Sequence, residues 1–181
     1  FTLQFTTGKC AASISCGETR TERVNGRAEQ RAFRFTGTRG EAVRIASARQ
    51  TEGLTFPAVE LFDPEGESLG DANIRGATDS LILPEEGLYT LIVSDFFTFF
   101  EQPTPQSFSV SLQFTTGRCA GETAAEQAEE TLIRTALQQD TFSFSGLSGE
   151  WVHFQTAALF FEDWNPRILL FDPLGLRVGS V

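Results

Sequence analysis

Four carboxylates in one short segment are the best candidates in this sequence for binding a metal ion. They are Asp63, Glu65, Glu67 and Asp71. Carboxylate oxygens are the ligands that Ca²⁺ prefers, so the loop could supply a calcium site, and we expect no other cofactor. Asp63-Pro64-Glu65-Gly66 also has the composition of a type I turn, which by itself explains Asp63. Asp79 and Asp95 belong to no comparable pattern.

His153 is the only histidine, and it is the one side chain suited to proton transfer near neutral pH. A catalytic histidine needs an orienting partner and a nucleophile within hydrogen-bond reach. The spacing of the other residues indicates neither, and one histidine with scattered cysteines does not make a zinc site. We therefore expect an exposed, structural histidine, no catalytic residue and no enzymatic activity.

The three cysteines are Cys10, Cys16 and Cys119. In an oxidising compartment, a bond between Cys10 and Cys16 would close a small loop. Cys119 would then be left over, either for an intermolecular bond or as a free thiol. Both alternatives stay open at the level of sequence.

A repeat organises the elements that must position these residues. Leu3-Gln4-Phe5-Thr6-Thr7-Gly8-Lys9-Cys10 returns as Leu112-Gln113-Phe114-Thr115-Thr116-Gly117-Arg118-Cys119, about 109 residues later. At the same spacing, Leu61-Phe62-Asp63-Pro64 returns as Leu170-Phe171-Asp172-Pro173. We expect a terminal strand at 1–9, a complete first unit at 10–119 and a second unit at 120–181, incomplete in this sequence.

Apolar residues alternate with polar ones in short runs separated by Gly, Pro and Asn, the pattern of antiparallel strands. The fold class is therefore all-β, with tandem jelly-roll-like antiparallel sandwich units. In the first unit we predict strands at 21–24, 32–36, 41–47, 59–62, 80–83, 88–93 and 108–114. In the second we predict strands at 131–136, 141–145, 150–156, 167–171 and 176–178, and a loop or short helical turn at 123–130.

The second unit has no counterpart of residues 73–109 within this sequence, and those residues include the longest apolar strand. A sandwich without its central strands exposes apolar surface and unpaired edges. We expect other residues to complete it, either in a longer array of units or through residues 1–9 of another chain acting as a donor strand.

Clustered aromatic residues in predicted loops suggest contacts between units or chains. Folding back over the open ends of the sandwich is the alternative, and the two are compatible. Phe97→Asp or Phe100→Asp should abolish association if the loops form the interface. The candidate interface residues are Phe1, Leu3, Phe5, Phe96, Phe97, Phe99, Phe100, Phe160, Phe161 and Trp164.

The charge balance restricts the partners. The chain of 181 residues has 14 basic and 24 acidic side chains and a net charge of −10. Nucleic acids and anionic membranes attract basic surfaces, so neither is expected. No apolar run approaches the roughly 20 residues of a spanning helix, so we expect no membrane insertion.

The order of motifs resembles that of bacterial pre-peptidase C-terminal domains. The matching residues are Phe33, Phe35, Gly40, Glu41, Leu61, Phe62, Asp63, Pro64, Gly66, Leu83, Pro84, Gly87, Tyr89, Leu91 and Val93. The resemblance implies a small jelly-roll-like sandwich, an extracellular or cell-surface location in a prokaryote, and an accessory or adhesive role without catalysis.

These observations predict a non-enzymatic extracellular repeat protein that builds a filament, stalk or surface layer from copies of itself or neighbouring repeats. The alternative is a glycan- or protein-binding accessory module of a secreted bacterial enzyme. An exposed Trp or Tyr platform on one sheet would favour glycan binding.

Overall fold

A computed structural model describes residues 3–25, 29–50, 57–72, 80–95, 106–124, 126–134, 137–157 and 167–180. These residues form strands, turns and irregular segments and no helix, so none of them forms a helical membrane span. The all-β prediction is confirmed.

Nine strands belong to the first unit and form two sheets. They are β1 (Ala12–Ser13), β2 (Thr19–Val24), β3 (Arg31–Gly37), β4 (Ala42–Arg49), β5 (Pro57–Phe62), β6 (Ser68–Ala72), β7 (Leu81–Ile82), β8 (Gly87–Asp95) and β9 (Gln106–Phe114). One sheet has the order β1-β3-β8-β5-β6 and the other the order β2-β9-β4-β7. All pairs are antiparallel except β1 with β3.

The core lies between the two sheets. Strand β3 alternates because one of its faces is buried: Phe33 and Phe35 are buried, whereas Arg34 and Thr36 are exposed. Strand β8 is the central strand of its sheet and is buried on both faces from Tyr89 to Val93. Its sequence accordingly reads as a nearly continuous apolar run.

Four short strands form two further sheets in the second unit. Strand β10 (Gly121–Glu122) pairs in parallel with β11 (Phe142–Ser143), and β12 (Leu169–Phe171) pairs antiparallel with β13 (Arg177–Ser180). Their registers match those of the first unit. Gly121 lies opposite Phe142 as Ala12 lies opposite Phe33, and the irregularity at Leu61/Phe62 of β5 recurs at Leu170/Phe171 of β12.

Other predicted strands do not form. Residues 150–156 are irregular, although their counterpart in the first unit is β4. Strand β4 pairs with β9, and no strand takes the place of β9 beside residues 150–156 in the described part of the chain. Backbone groups without a ladder partner do not hold a strand conformation. The same reason applies to residues 3–9 and 131–134, where predicted strands are also irregular.

Candidate functional site

The disulfide pairing differs from the predicted one. Cys16 is bonded to Cys119, with a Cα–Cα distance of 6.1 Å, and Cys10 is a free, exposed thiol. The cause is the path of the loop between β1 and β2, which runs beside β9. Gly17 N donates to Leu112 O at 2.9 Å, and Leu112 N donates to Glu18 O at 3.2 Å. This ladder brings Cys16 to the end of β9, where Cys119 follows.

The two units contact each other where β9 ends. Thr115 Oγ1 and Ser80 Oγ both donate to Gly175 O, at 2.8 and 2.6 Å. Gln113 Nε2 donates to Gln139 O at 2.7 Å, and Gln139 Nε2 donates to Ser111 Oγ at 2.8 Å. We call these contacts of Ser80, Ser111, Gln113 and Thr115 with Gln139 and Gly175 the joint.

Gly175 lies so close to the first unit that a side chain would not fit. Its φ is +77°, and a Cβ placed on it would lie 2.5 Å from Ala42 Cβ and 2.7 Å from Thr115 Oγ1. Both the backbone conformation and the close approach therefore require glycine. Ala42 is fully buried, so its methyl group has no room to move away.

The N-terminal segment contacts the first unit in the same way. Gln4 Nε2 donates to Gln30 O at 3.4 Å, as Gln113 donates to Gln139. A Cβ on Gly66 would lie 2.6 Å from Thr6 Oγ1, as one on Gly175 would meet Thr115. All of these pairs are related by the repeat of about 109 residues, so the same contacts occur at two successive places in the chain.

Side chains in the second unit are exposed where their counterparts in the first unit form the core. Trp151 is 99% exposed, whereas its counterpart Ala42 is 0% exposed. Phe142 is 41% exposed, whereas Phe33 is 1% exposed. Val152 and Phe144 are exposed too, whereas Val43 and Phe35 are buried. We call Phe142, Phe144, Trp151 and Val152 the apolar face.

The candidate interface residues fall into two groups. Leu3 and Phe5 are exposed, although their counterparts Leu112 and Phe114 are buried in β9. The remainder lie outside the described residues: Phe1, Phe96, Phe97, Phe99, Phe100, Phe160, Phe161 and Trp164. Their part in an interface stays a prediction.

The acidic segment forms a smaller cluster than the sequence predicts, with one unexpected member. Asp63, Glu65 and Glu85 carry carboxylate oxygens within 4.8 Å of one another. Glu67 is not among them, and the side chain of Asp71 is not described. Glu85 follows a different strand, β7, so its place in the sequence does not indicate that it joins the cluster. No pattern within the segment could have indicated it.

A hydrogen bond, burial and neighbouring negative charge raise the pKa of one carboxyl group in this cluster. The hydrogen bond with Glu65 raises the pKa of Glu85 above its ordinary value of 4.5, and burial and the charges of Glu65 and Asp63 raise it further. Asp63 also serves the turn, since its Oδ1 accepts from Glu67 N at 2.8 Å. Asp172 accepts from Leu176 N at the same distance, so this aspartate role does not depend on a metal.

His153 and Tyr89 do not form part of a catalytic or sugar-binding site among the described residues. His153 is exposed, as predicted. Tyr89 is buried, and its hydroxyl donates to Glu85 O at 2.7 Å, while burial raises the pKa of its phenol. Tyr89 therefore offers no platform for a sugar ring. Trp151 is exposed, but it lies on an irregular segment rather than on a sheet.

No family model and no curated protein matches the sequence. Solved structures similar to this chain include PliG from Aeromonas hydrophila, a periplasmic inhibitor of g-type lysozyme, at 17% identity and a TM-score of 0.44. They also include the pre-peptidase C-terminal domain of a collagenase from Bacillus anthracis, at 11% identity and a TM-score of 0.46. Each match covers 57% of this chain, with 96% of the inhibitor and 94% of the collagenase domain.

Proposed function

We propose that this chain is a non-catalytic binding module of an extracytoplasmic protein, and that it acts through protein–protein contacts. The observation that carries the proposal is the apolar face, where four large side chains are exposed at positions that the first unit buries. Large apolar side chains that are exposed at positions which a related unit buries mark surface that a contact with other protein residues would cover. Each of these side chains gains roughly 1.5–3 kcal/mol when it is buried.

Two further observations support the extracytoplasmic location and the non-catalytic role that we propose. The Cys16–Cys119 bond fits an oxidising compartment such as the periplasm or the cell exterior. His153 is exposed and lies on an irregular segment, and no described residue pairs with it as a base pairs with a nucleophile.

Glycan binding is a weaker reading of the same surface. Sugar-binding sites usually present flat aromatic rings on a firm support beside polar groups. Trp151 is exposed, but its counterpart Ala42 is a core position, and Tyr89 is buried. The position of Trp151 is thus one that another part of a protein covers.

Sedimentation velocity over a range of protein concentrations tests the proposal. We expect the wild-type chain to associate and the double variant Phe144→Asp/Val152→Asp to stay monomeric, because two carboxylates would have to be buried without partners. Leu174→Asp is the matched control: Leu174 is an exposed apolar residue whose counterpart, Glu65, is already a surface carboxylate.

A wild-type chain that is monomeric at all concentrations would contradict self-association through this face. Binding on a glycan array that Trp151→Ala removes would then establish the sugar-binding alternative.

A filament or stalk is a second candidate, and the joint is the observation that favours it. The same contacts recur at residues 4–7 and at residues 113–116. A heterologous contact that repeats with one geometry generates an open-ended array where its rotation does not close into a ring. Electron microscopy of the unreduced protein tests this candidate. Filaments with a regular axial repeat would support it, and discrete particles would exclude it.

A further inference from the structure

The short segment between the two units is anchored to the first unit at both ends. We call residues 115–120, which lie between β9 and β10, the connector. At its start, Thr115 N donates to Ala42 O at 2.8 Å. Near its end, Cys119 is bonded to Cys16, which lies in the loop between β1 and β2. A backbone hydrogen bond therefore holds one end of the connector, and a covalent bond holds the other.

The disulfide determines how much of the connector is free to rotate. Gly121 N donates to Thr141 O at 2.9 Å, so contacts within the second unit hold the chain at Gly121. With the bond intact, Ala120 alone lies between the two anchored points. Without it, backbone anchoring to the first unit ends at Thr115, and residues 116–120 can span roughly 17 Å. A longer free segment allows many more orientations of the second unit.

A further contact of the connector with the first unit is weaker than a covalent bond. Arg118 Nη1 donates to Thr36 O at 2.9 Å and to Glu41 Oε2 at 3.2 Å. Arg118 is exposed, so water and salt compete with its ion pair. The hydrogen bonds of the joint also remain without the disulfide, but each contributes little net free energy because water replaces it on opening. The disulfide is therefore the strongest restraint on the connector.

The segment that corresponds to the connector shows that the disulfide does not shape the turn itself. Ala11 N donates to Gly8 O at 3.2 Å, as Ala120 N donates to Gly117 O at 3.1 Å. The cysteine of this corresponding turn, Cys10, is unbonded. The turn thus forms with or without a disulfide. The effect of the bond is to attach the connector to the loop between β1 and β2.

We propose that the Cys16–Cys119 bond is a redox-sensitive restraint on the joint, and that a dithiol reductant releases it. Cys119 is exposed and Cys16 is half-buried, so a thiolate of the reductant attacks Cys119 Sγ. Cys16 leaves as a thiolate and takes up a proton. The second thiolate of the reductant then displaces Cys119 and closes the reductant's own disulfide, so two electrons and two protons pass to the protein.

The first unit keeps its fold in the reduced state, because its two sheets pair and its core packs through contacts other than this bond. What changes on reduction is the freedom of the second unit relative to the first. This inference concerns the joint and is independent of the apolar face.

A distance measurement between the units tests the proposal. Arg39 and Ser148 are exposed counterparts in the two units, and spin labels on non-canonical residues at these positions introduce no thiol. Cys10→Ser removes the third cysteine. We expect a narrow distance distribution in the oxidised chain, at least about twofold broader after reduction by a dithiol, and narrow again after reoxidation. An unchanged width in a chain whose other two cysteines are both alkylated as free thiols would overturn the proposal.

Arg118→Ala is a control for the second anchor. In the oxidised chain it should leave the distance distribution unchanged, because the disulfide still holds the connector. In the reduced chain it should broaden the distribution further, because Arg118 is then the remaining side-chain anchor of the connector that contacts Thr36 and Glu41. Equal broadening in both redox states would contradict a restraint by the disulfide.

Hydrogen exchange separates a looser joint from unfolding. Reduction should speed exchange at residues 116–121, whereas β4, β8 and β9 should stay protected. A loss of protection in all three strands would show that the bond stabilises the first unit as a whole, and the proposal would be wrong. Association through the apolar face is measured in the oxidised chain, so either proposal can fail while the other stands.

Discussion

At the scale of single residues, the acidic cluster shows how charge acts on stability. The pKa of Glu85 is raised in the folded protein, first by the hydrogen bond with Glu65 and then by burial and neighbouring negative charge. A raised folded-state pKa means that folding favours the protonated carboxyl. This contribution is present below the ordinary pKa of 4.5 and is lost as the pH rises through the folded-state value.

Glu85→Gln should therefore remove the part of the pH dependence of the free energy of unfolding that Glu85 contributes. We expect the wild-type chain to lose stability relative to the variant between mildly acidic and neutral pH, because Glu85 is then ionised beside two carboxylates. Urea unfolding at both pH values measures this. Glu86→Gln, the control, makes the same charge change at the following residue. It should keep the wild-type pH dependence of stability. Parallel pH profiles for the wild-type chain and Glu85→Gln would contradict the prediction.

Calcium should stabilise this cluster little. Ca²⁺ takes six to eight oxygens, whereas the cluster offers three carboxylates, of which Asp63 already accepts a backbone hydrogen bond. A site with millimolar affinity adds less than about 0.5 kcal/mol at 1 mM Ca²⁺, so we expect no measurable rise in the unfolding midpoint. A clear rise that Glu65→Gln removes would instead establish a calcium site.

The disulfide is the second feature at this scale. It closes a loop with a sequence separation of 103 residues, so reduction or Cys119→Ser should lower the free energy of unfolding by about 2–4 kcal/mol. Cys10→Ser is the matched control and should unfold as the wild-type chain does, since Cys10 is exposed and unbonded. Peptide mapping that finds Cys10 bonded to Cys16 would contradict the pairing.

At the scale of elements, the joint depends on the close approach of one turn to the end of β9. The turn reproduces the Asp63–Gly66 turn of the first unit: Gly175 N donates to Asp172 O at 2.8 Å, as Gly66 N does to Asp63 O at 3.0 Å. Two turns with one hydrogen-bond pattern thus contact two segments with one sequence pattern, residues 4–7 and the end of β9, which is why the contacts recur.

Gly175→Ala should break the joint. The added methyl group meets buried Ala42, whereas in Gly149→Ala, the control, the glycine has a similar φ of +90° with nothing within 4 Å. Both variants carry the backbone cost of roughly 1–2 kcal/mol. Only Gly175→Ala should speed hydrogen exchange at Gly175 and Leu176. Equal exchange in the two variants would show that the close approach is not important.

At the scale of the whole molecule, the two units should differ greatly in local stability. Within the described residues, the first unit has nine strands in two sheets around one core, whereas the second has four short strands in two separate pairs. Local stability follows the number of buried apolar contacts and protected hydrogen bonds.

Hydrogen exchange followed by mass spectrometry measures this difference. We expect the slowest exchange in β4, β8 and β9, and exchange several orders of magnitude faster in residues 141–157. Uniform protection across both units in the free chain would contradict this view of the second unit.

The sequence by itself determined the all-β class, most strands of the first unit and the two Asp-Pro turns, because alternation and turn composition act over a few residues. Its spacing of about 109 residues also relates β11 to β3 and β12 to β5, and the structure shows that the registers of these related strands match. The division into units and the resemblance to pre-peptidase C-terminal domains remain predictions.

The tertiary structure alone decided three features. The pairing of Cys16 with Cys119 depends on a loop that runs beside β9. Glu85 joins Asp63 and Glu65 because separate turns meet at one end of the sandwich. Residues 150–156 have the alternation of a strand but are irregular. The common physical reason is that side-chain clusters, disulfides and strands all need a partner distant in sequence, and local pattern does not show whether that partner is present.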